Sequence, residues 1–322
     1  MGLIEVASSI KSMEIRGAGL IARSAAEALK QQALDYKGDD LGELRRRLDD
    51  GRRQLIASRP TAISLWNAVQ ATMRGSSSAE SADELRSLVA TNADSFVERS
   101  SKAVGMIGRI GSKRLRSGMT VLTHCNSKAA LGVIKTAHAD GKDIKVYATE
   151  SRPWRQGLLT VKDLAAAGVP KRDRIEHGAG VPTTLIIDSA VRWIMKEIDV
   201  VLVGADTICS NGALINKIGT SQVALAADEA RVPFIVCAET YKFSPKTVHG
   251  EMVEIEERDA SEIIDPRLLP PKVMVKNPVF DATPAEYIDS IVTEIGLISP
   301  YAAYEVIVKE LGQESIFEAN EE

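Results

Sequence analysis

No apolar run in this 322-residue sequence reaches the roughly 18 residues that a membrane span needs, so no spanning helix is expected. The first residues, with Glu5 and Lys11 placed early, lack the apolar centre of a secretion signal. The Met-Gly start does not make a myristoylation motif, because Val6 stands where Ser or Thr is needed. A basic excess is also missing. The formal net charge of −4 argues against nucleic acid or a membrane surface as general partners. Cysteine is scarce: Cys125, Cys209 and Cys237 are odd in number, widely spaced and without a CxxC pair. Neither a disulfide framework nor a zinc site is expected, and a reducing cytoplasm is the simplest compartment. There is no P-loop and no GxGxxG, so ATP and NAD have no support as ligands. What is present is ordinary for a globular chain: 44% hydrophobic and 26% charged residues, with length for one large domain or two smaller ones.

Apolar spacing predicts helices through residues 1–117, over 20–34, 41–58 and 61–74, then a long helical stretch to Ser117 interrupted by Gly105, Gly108 and Gly111. A capping loop at 75–83 separates the last two. The period changes at Gly118. "MTVLTH", "IKVYAT", "TTLIID", "DVVLVG" and "PFIVCA" are short, nearly continuous apolar runs separated by helical segments. Strands buried on both faces read this way, so residues 118–322 are expected to form an α/β domain with a mainly parallel sheet. The tail segment "TPAEYIDSIVTE" reads as a further helix. "AGVP" occurs at 167–170 and again at 179–182, so 171–182 is read as an inserted, solvated loop carrying His177.

In a parallel sheet, ligands bind beyond the carboxyl ends of the strands. The polar residues gather there: His124 and Cys125 after the first run, Glu150 to Pro153 after the second, Asp188 after the third, Asp206 after the fourth and Glu239 after the fifth. Cys125 falls between a strand end and a helix N-terminus, where the helix dipole and Lys128 would favour a thiolate. As a free cysteine it could equally be a small core residue. Cys209 and Cys237 lack this setting and read as structural. Asp206 at a neighbouring strand end would have a raised pKa and could hold a proton, or could simply cap a helix. Asp188 suits the capping role better. Asn216 and Lys217 precede Gly219, which would let backbone amides approach an anion. Arg16, Arg59, Arg152 and Lys242 occupy loop-like positions and would suit phosphate groups if they converged.

"THCNSKAA", "TESRPWRQG", "VGADTICSNGALINKIGT" and "CAETYKF", with "MEIRGAG" and "SRPTAISL" in the helical part, together resemble one superfamily. It holds sugar-phosphate isomerases and regulatory subunits of the translation initiation guanine-nucleotide exchange factor. Within it the chain is most similar to the archaeal ribose-1,5-bisphosphate isomerase family. The resemblance implies an N-terminal helical domain followed by a Rossmann-like domain. It implies conversion of α-D-ribose 1,5-bisphosphate to D-ribulose 1,5-bisphosphate without metal or nucleotide cofactor, linking AMP breakdown to ribulose-bisphosphate carboxylase. It also implies a homo-oligomer, a hexamer built from dimers. The family's catalytic cysteine and aspartate fall on Cys125 and Asp206. Its phosphate and sugar contacts fall on Arg16, Gly17, Ala18, Gly19, Arg59, Ser127, Lys128, Asn216, Lys217 and Lys242. The 171–182 insert departs from the family pattern, at the far end of its strand from the crevice. Two rivals share parts of the signature. Methylthioribose-1-phosphate isomerases keep the Cys and Asp, but their substrate lacks the second phosphate that Lys128 and the other loop cations would serve. Non-catalytic exchange-factor subunits generally lack that pair.

Overall fold

The computed structural model describes residues 2–171, 174–176, 180–249 and 253–312. Helices fill the N-terminal part: α1 (Leu3–Lys11), α2 (Ala18–Asp35), α3 (Leu41–Ser58), α4 (Ile63–Met73) and α5 (Ala82–Gly111). Their starts are written locally. The Asp40 side chain accepts from the Glu43 N–H, and Ser81 accepts from the Glu84 N–H. Leu29, Leu44, Leu48, Leu55 and Leu85 are wholly buried between them, each contributing about 1.5–3 kcal/mol of transfer free energy. The three glycines expected to interrupt the last helix do not break it. A Cβ on Gly108 would come within 2.7 Å of Thr136 Oγ1 and 3.0 Å of the Gly132 carbonyl, and one on Gly111 within 2.4 Å of Val133. These glycines let α5 lie directly on α6 (Lys128–Ala139) while its other side packs on α2.

The five apolar runs are strands β1 (Thr120–Thr123), β2 (Lys145–Thr149), β5 (Thr183–Ile186), β6 (Val200–Val203) and β9 (Phe234–Cys237). All are parallel to their neighbours. β11 (Ser290–Thr293) joins β9 in parallel, and β12 (Gly296–Ile298) closes the edge antiparallel. The sheet order is β12-β11-β9-β6-β1-β2-β5. In chain order the parallel strands run 3-2-1-4-5-6, the Rossmann arrangement. Helix α6 and α7 (Gly157–Ala165) cover one face with α5; α8 (Val191–Ile194), α9 (Thr220–Ala230) and α10 (Ala303–Val306) cover the other. "TPAEYIDSIVTE" is therefore not a helix. One 3-10 turn (Ala285–Tyr287) leads into β11, because the apolar Ile291 and Val292 pair with β9 instead of making a helical stripe.

Where a solvated loop is expected from residue 171, β3 (Val169–Lys171), which starts just before it, and β4 (Arg174–Glu176) pair as a short antiparallel hairpin. His177 lies outside the described residues. The hairpin sits between α7 and the start of β5, at the amino end of that strand. A second, antiparallel sheet stands beyond the carboxyl end of β6: β7 (Thr207–Ile208), β8 (Leu214–Lys217) and β10 (Phe280–Thr283).

Candidate active site

The chain enters the sheet at β1, winds outward to β5, then returns to the other side of β1 as β6. The two halves part between β1 and β6, and such a switch point opens a crevice beyond the strand ends. Cys125 follows β1 and Asp206 follows β6, so the two face the same opening.

Cys125 is half-buried, with a backbone φ of +69°, a left-handed conformation uncommon outside glycine. Its peptide is held on both sides. The N–H donates to Ser151 Oγ (2.8 Å) and the carbonyl accepts from Thr160 Oγ1 (2.7 Å). The thiol donates to Gln156 Oε1 at 3.3 Å. Beneath it runs a buried chain. His124 Nε2 meets the Ile218 carbonyl at 2.8 Å, so that nitrogen carries the proton, and Nδ1 accepts from Thr149 Oγ1 at 2.6 Å. Thr149 Oγ1 lies 3.0 Å from Ser151 Oγ, which completes the path to the Cys125 amide. Burial lowers the His124 pKa, so the imidazole is neutral and can play both parts.

The expected thiolate is not what the site favours. Burial pushes the Cys125 thiol up to about 11, against the pull of Lys217. The cation that acts on the sulfur is Lys217. Lys128 opens α6 with an exposed side chain, and Ser127 caps that helix, accepting from the Ala130 N–H at 3.3 Å. Lys217 is buried on β8 with its ammonium 5.4 Å from the Phe280 ring. Burial lowers its pKa; Cys125 and Asp206 oppose that shift, and Arg258 adds to it. The hairpin β7–β8 brings it there, with the Asp206 N–H donating to the Ile215 carbonyl at 3.0 Å. Asn216 beside it donates to Thr220 Oγ1 at 3.0 Å. Burial raises the Asp206 carboxyl above its ordinary range, against the nearby charges of Lys242, Lys217 and Arg59.

Lys242 is buried and paired with Glu239 at 2.7 Å. Tyr241 donates to the other Glu239 oxygen at 3.1 Å. Burial alone would raise Glu239, but Lys242 holds it below the usual carboxylate range. The helical part grips this loop: Asn67 Nδ2 on α4 donates to the carbonyls of Tyr241 and Phe243, both at 2.8 Å. Gly17 caps α2 with φ +87°, Ala18 begins the helix, and a Cβ on Gly19 would come within 2.8 Å of Tyr241 Oη. Gly19 in the first turn of α2 thus adjoins Tyr241, and the exposed Arg16 lies just before that helix. Arg59, just after α3, lies 3.5 Å from Glu256.

Two expected anion positions are already satisfied from within. The Gly219 and Ser221 amides at the start of α9 donate to Asp281 at 2.7 and 3.2 Å. The Arg152 guanidinium donates to the Ile263 carbonyl at 3.2 Å. Asp188 caps no helix of its own; it accepts from the amides of Ser151 (2.7 Å) and Arg152 (2.9 Å) and so fixes the loop beside Cys125. Cys209 and Cys237 are buried, with thiols pushed up to about 11 and about 12. Among the described residues there is no cluster of three groups suited to a metal, and no helix long and apolar enough to cross a membrane. Sequence reading missed Gln156, Asn67, Glu256 and Arg258. The last two sit in the charged tail segment "EIEER", which carries no local signal of a site.

A helical layer on a Rossmann-type sheet, with a cysteine and an aspartate facing each other at its switch point, defines the class. The chain belongs to the initiation factor 2 subunit family, whose model matches residues 14–172 and 174–300. It is 53% identical to the ribose 1,5-bisphosphate isomerase of Archaeoglobus fulgidus, over 98% of this chain and 96% of that protein. With the ribose 1,5-bisphosphate isomerase of Methanocaldococcus jannaschii it shares 48%, over 96% and 95%. The methylthioribose-1-phosphate isomerase of Geobacter metallireducens is 38% identical over 91% and 86%. Among solved structures, the translation initiation factor eIF-2B of Pyrococcus horikoshii OT3 superposes with a TM-score of 0.76 at 30% identity, covering 92% of this chain and 97% of that one. The 5-methylthioribose 1-phosphate isomerase of the same organism gives 0.74 at 29%, covering 96% and 87%.

Proposed function

We propose that this chain is an aldose–ketose isomerase that converts α-D-ribose 1,5-bisphosphate into D-ribulose 1,5-bisphosphate. The observation that carries the reading is the facing of Cys125 and Asp206 across the switch point, within reach of Lys217, Lys242 and Arg59. The similarity to two isomerases of this substrate over nearly the whole chain supports it. The reaction moves hydrogen from C2 to C1. Cys125 takes the C2 proton as base while Asp206 protonates the ring oxygen, so the C1–O bond breaks and a C1=C2 enol forms; the Cys125 thiol then gives the proton to C1, and the Asp206 carboxylate takes the C2 hydroxyl proton as the ketone forms. Lys217 stabilises the thiolate during that step. Arg16, the α2 amides of Gly17, Ala18 and Gly19, Arg59, Ser127, Lys128, Asn216, Lys217 and Lys242 hold the substrate's phosphates and hydroxyls, and so fix C2 near the sulfur.

The same reading takes residues 1–117 and 118–322 as two domains, and the enzyme as cytoplasmic and homo-oligomeric, a hexamer built from dimers. Support for self-association comes from the edge strand β5 and the chain just after it, where Leu185, Ile187 and Trp193 are 42%, 61% and 74% exposed. The reading is tested by incubating purified protein with ribose 1,5-bisphosphate and following the carbons by NMR. Ribulose 1,5-bisphosphate is the expected product, and an unchanged spectrum would overturn the assignment.

A further inference from the structure

The segment 253–258 lies outside every quoted motif, yet it touches three walls of the crevice. The Arg258 guanidinium lies 4.7 Å from the centre of the Trp154 ring, in the loop after β2. Its Nε donates to Glu256 Oε1 at 2.8 Å, and the other Glu256 oxygen faces Arg59 at 3.5 Å. Among the described residues its Nη2 meets only the Met13 sulfur at 4.0 Å, a weak acceptor. The Arg258 side chain is 13% exposed, so a guanidinium with donors to spare is kept largely from water.

The charges around it do not balance. Lys242 already has Glu239. Arg59, Arg258 and Lys217 are then left with Glu256, whose second oxygen is buried without a hydrogen bond, and with Asp206, a carboxyl that burial pushes toward its neutral form. Burial alone would raise Glu256, but Arg258 and Arg59 hold it below the usual carboxylate range, so it stays an anion. Arg258 in turn helps to depress Lys217, which places the two cations within electrostatic reach. A partly buried set of this kind demands a further anion. A phosphate monoester dianion suits it, because two guanidinium forks match its oxygens.

We propose that Arg258 is a substrate-binding and specificity-determining residue: with Arg59 it takes the phosphate farther from the reacting carbon, while Glu256 holds both guanidiniums in place until that phosphate arrives. The choice of phosphate follows from depth. Lys217 and Lys242 are buried beside Cys125 and Asp206, whereas Arg258 stacks on Trp154 at the rim, where the ring is 39% exposed. Trp154 fixes the plane of the guanidinium by stacking, so the fork is ordered before substrate arrives. Glu256 is a resident counter-ion that the phosphate supplements.

The inference rests on the bisphosphate reading, and the experiment separates the two. Binding of ribose 1,5-bisphosphate and of ribose 1-phosphate is measured by calorimetry for the native protein, Arg258→Ala, Arg258→Lys and Glu256→Gln, each checked by thermal unfolding. Arg258→Ala is expected to weaken the bisphosphate by ~30-fold or more, the scale of a lost charge-assisted hydrogen-bond pair. Ribose 1-phosphate should change by less than about threefold. Arg258→Lys, which keeps the charge but not the fork, should recover part of the loss and serves as the folded variant if alanine is not tolerated. Glu256→Gln, which loosens both guanidiniums, should weaken the bisphosphate several-fold and ribose 1-phosphate less. Equal weakening of both ligands in the Arg258 variants would make the residue structural and overturn the proposal. Unchanged or tighter bisphosphate binding in Glu256→Gln would overturn the holding role of Glu256. A native protein that binds no bisphosphate would overturn the functional reading itself, and this inference with it.

Discussion

At the scale of single residues, the site rests on two groups whose protonation is set by burial more than by neighbours. Cys125→Ser and Asp206→Asn should each lower kcat by at least ~10²-fold, the usual cost of losing a general acid or base, while bisphosphate binding survives on the cations. Near-native turnover in a folded variant would reassign that residue. The pH profile follows from the directions of the two shifts. The proposed mechanism needs the Cys125 thiolate and the protonated Asp206, a pair carrying one proton in total. Such a pair shares that proton in a ratio independent of pH, so kcat/KM should be flat from about pH 7 to 9. It should fall on the acid side once Asp206, already raised, and Cys125 are both protonated. It should fall again only near the value of about 11 to which Cys125 is pushed. A tenfold rise per unit between pH 7 and 9 would mean that Asp206 is not the proton partner. The position of both residues was legible in the sequence, because each directly follows a buried strand. The charge state of Cys125 was not. Lys128 is near in sequence, but Lys217 is near in space, and only the β7–β8 hairpin makes it so.

At the scale of elements, the inner strands β1, β2, β6 and β9 were legible because a strand covered on both faces must be apolar at nearly every position, while β5 shares the apolar pattern yet lies at the sheet edge, half exposed. β11 was not, since "SIVT" is short and flanked by charges, and pairing with β9 decides its conformation. The glycines of α5 read as breakers because a helix–helix contact leaves no trace in a single helix's periodicity. One contact between elements carries a clear consequence. Asn67 on α4 is the clamp on the Lys242 loop. Asn67→Ala leaves two buried carbonyls without that donor, which should cost about 1–3 kcal/mol in urea unfolding. It should also raise the KM for the bisphosphate more than it lowers kcat, because Lys242 loses its placement. An unchanged KM would show that the loop holds its shape without α4.

At the scale of the molecule, a chain of net charge −4 concentrates cations at one crevice. Arg59, Lys217, Lys242 and Arg258 converge there from parts of the sequence far apart. Two phosphates need two such groups, and a neutral replacement for one leaves guanidiniums desolvated and unpaired. Methylthioribose 1-phosphate should therefore react at least ~10³-fold less efficiently than ribose 1,5-bisphosphate, about 4 kcal/mol in kcat/KM. Comparable values for the two would favour the methylthioribose reading instead.

The clamp at Asn67 also sets an order of events during synthesis. Asn67 and its two acceptors are 174 and 176 positions apart. As the ribosome releases the chain, the N-terminal helices emerge and fold first. Their functional contacts must wait until Tyr241 and Phe243 have left the exit tunnel and β9 has joined β6. The crevice is thus completed late, with β10, β11 and α10 still to follow. Fragments ending before that point can hold the Cys125 strand and the helical layer together through α5 and α6, yet they lack the loop that α4 is shaped to grip. Pulse-labelled, stalled chains should pass abruptly from protease-sensitive to protease-resistant at Asn67 only once that loop is outside.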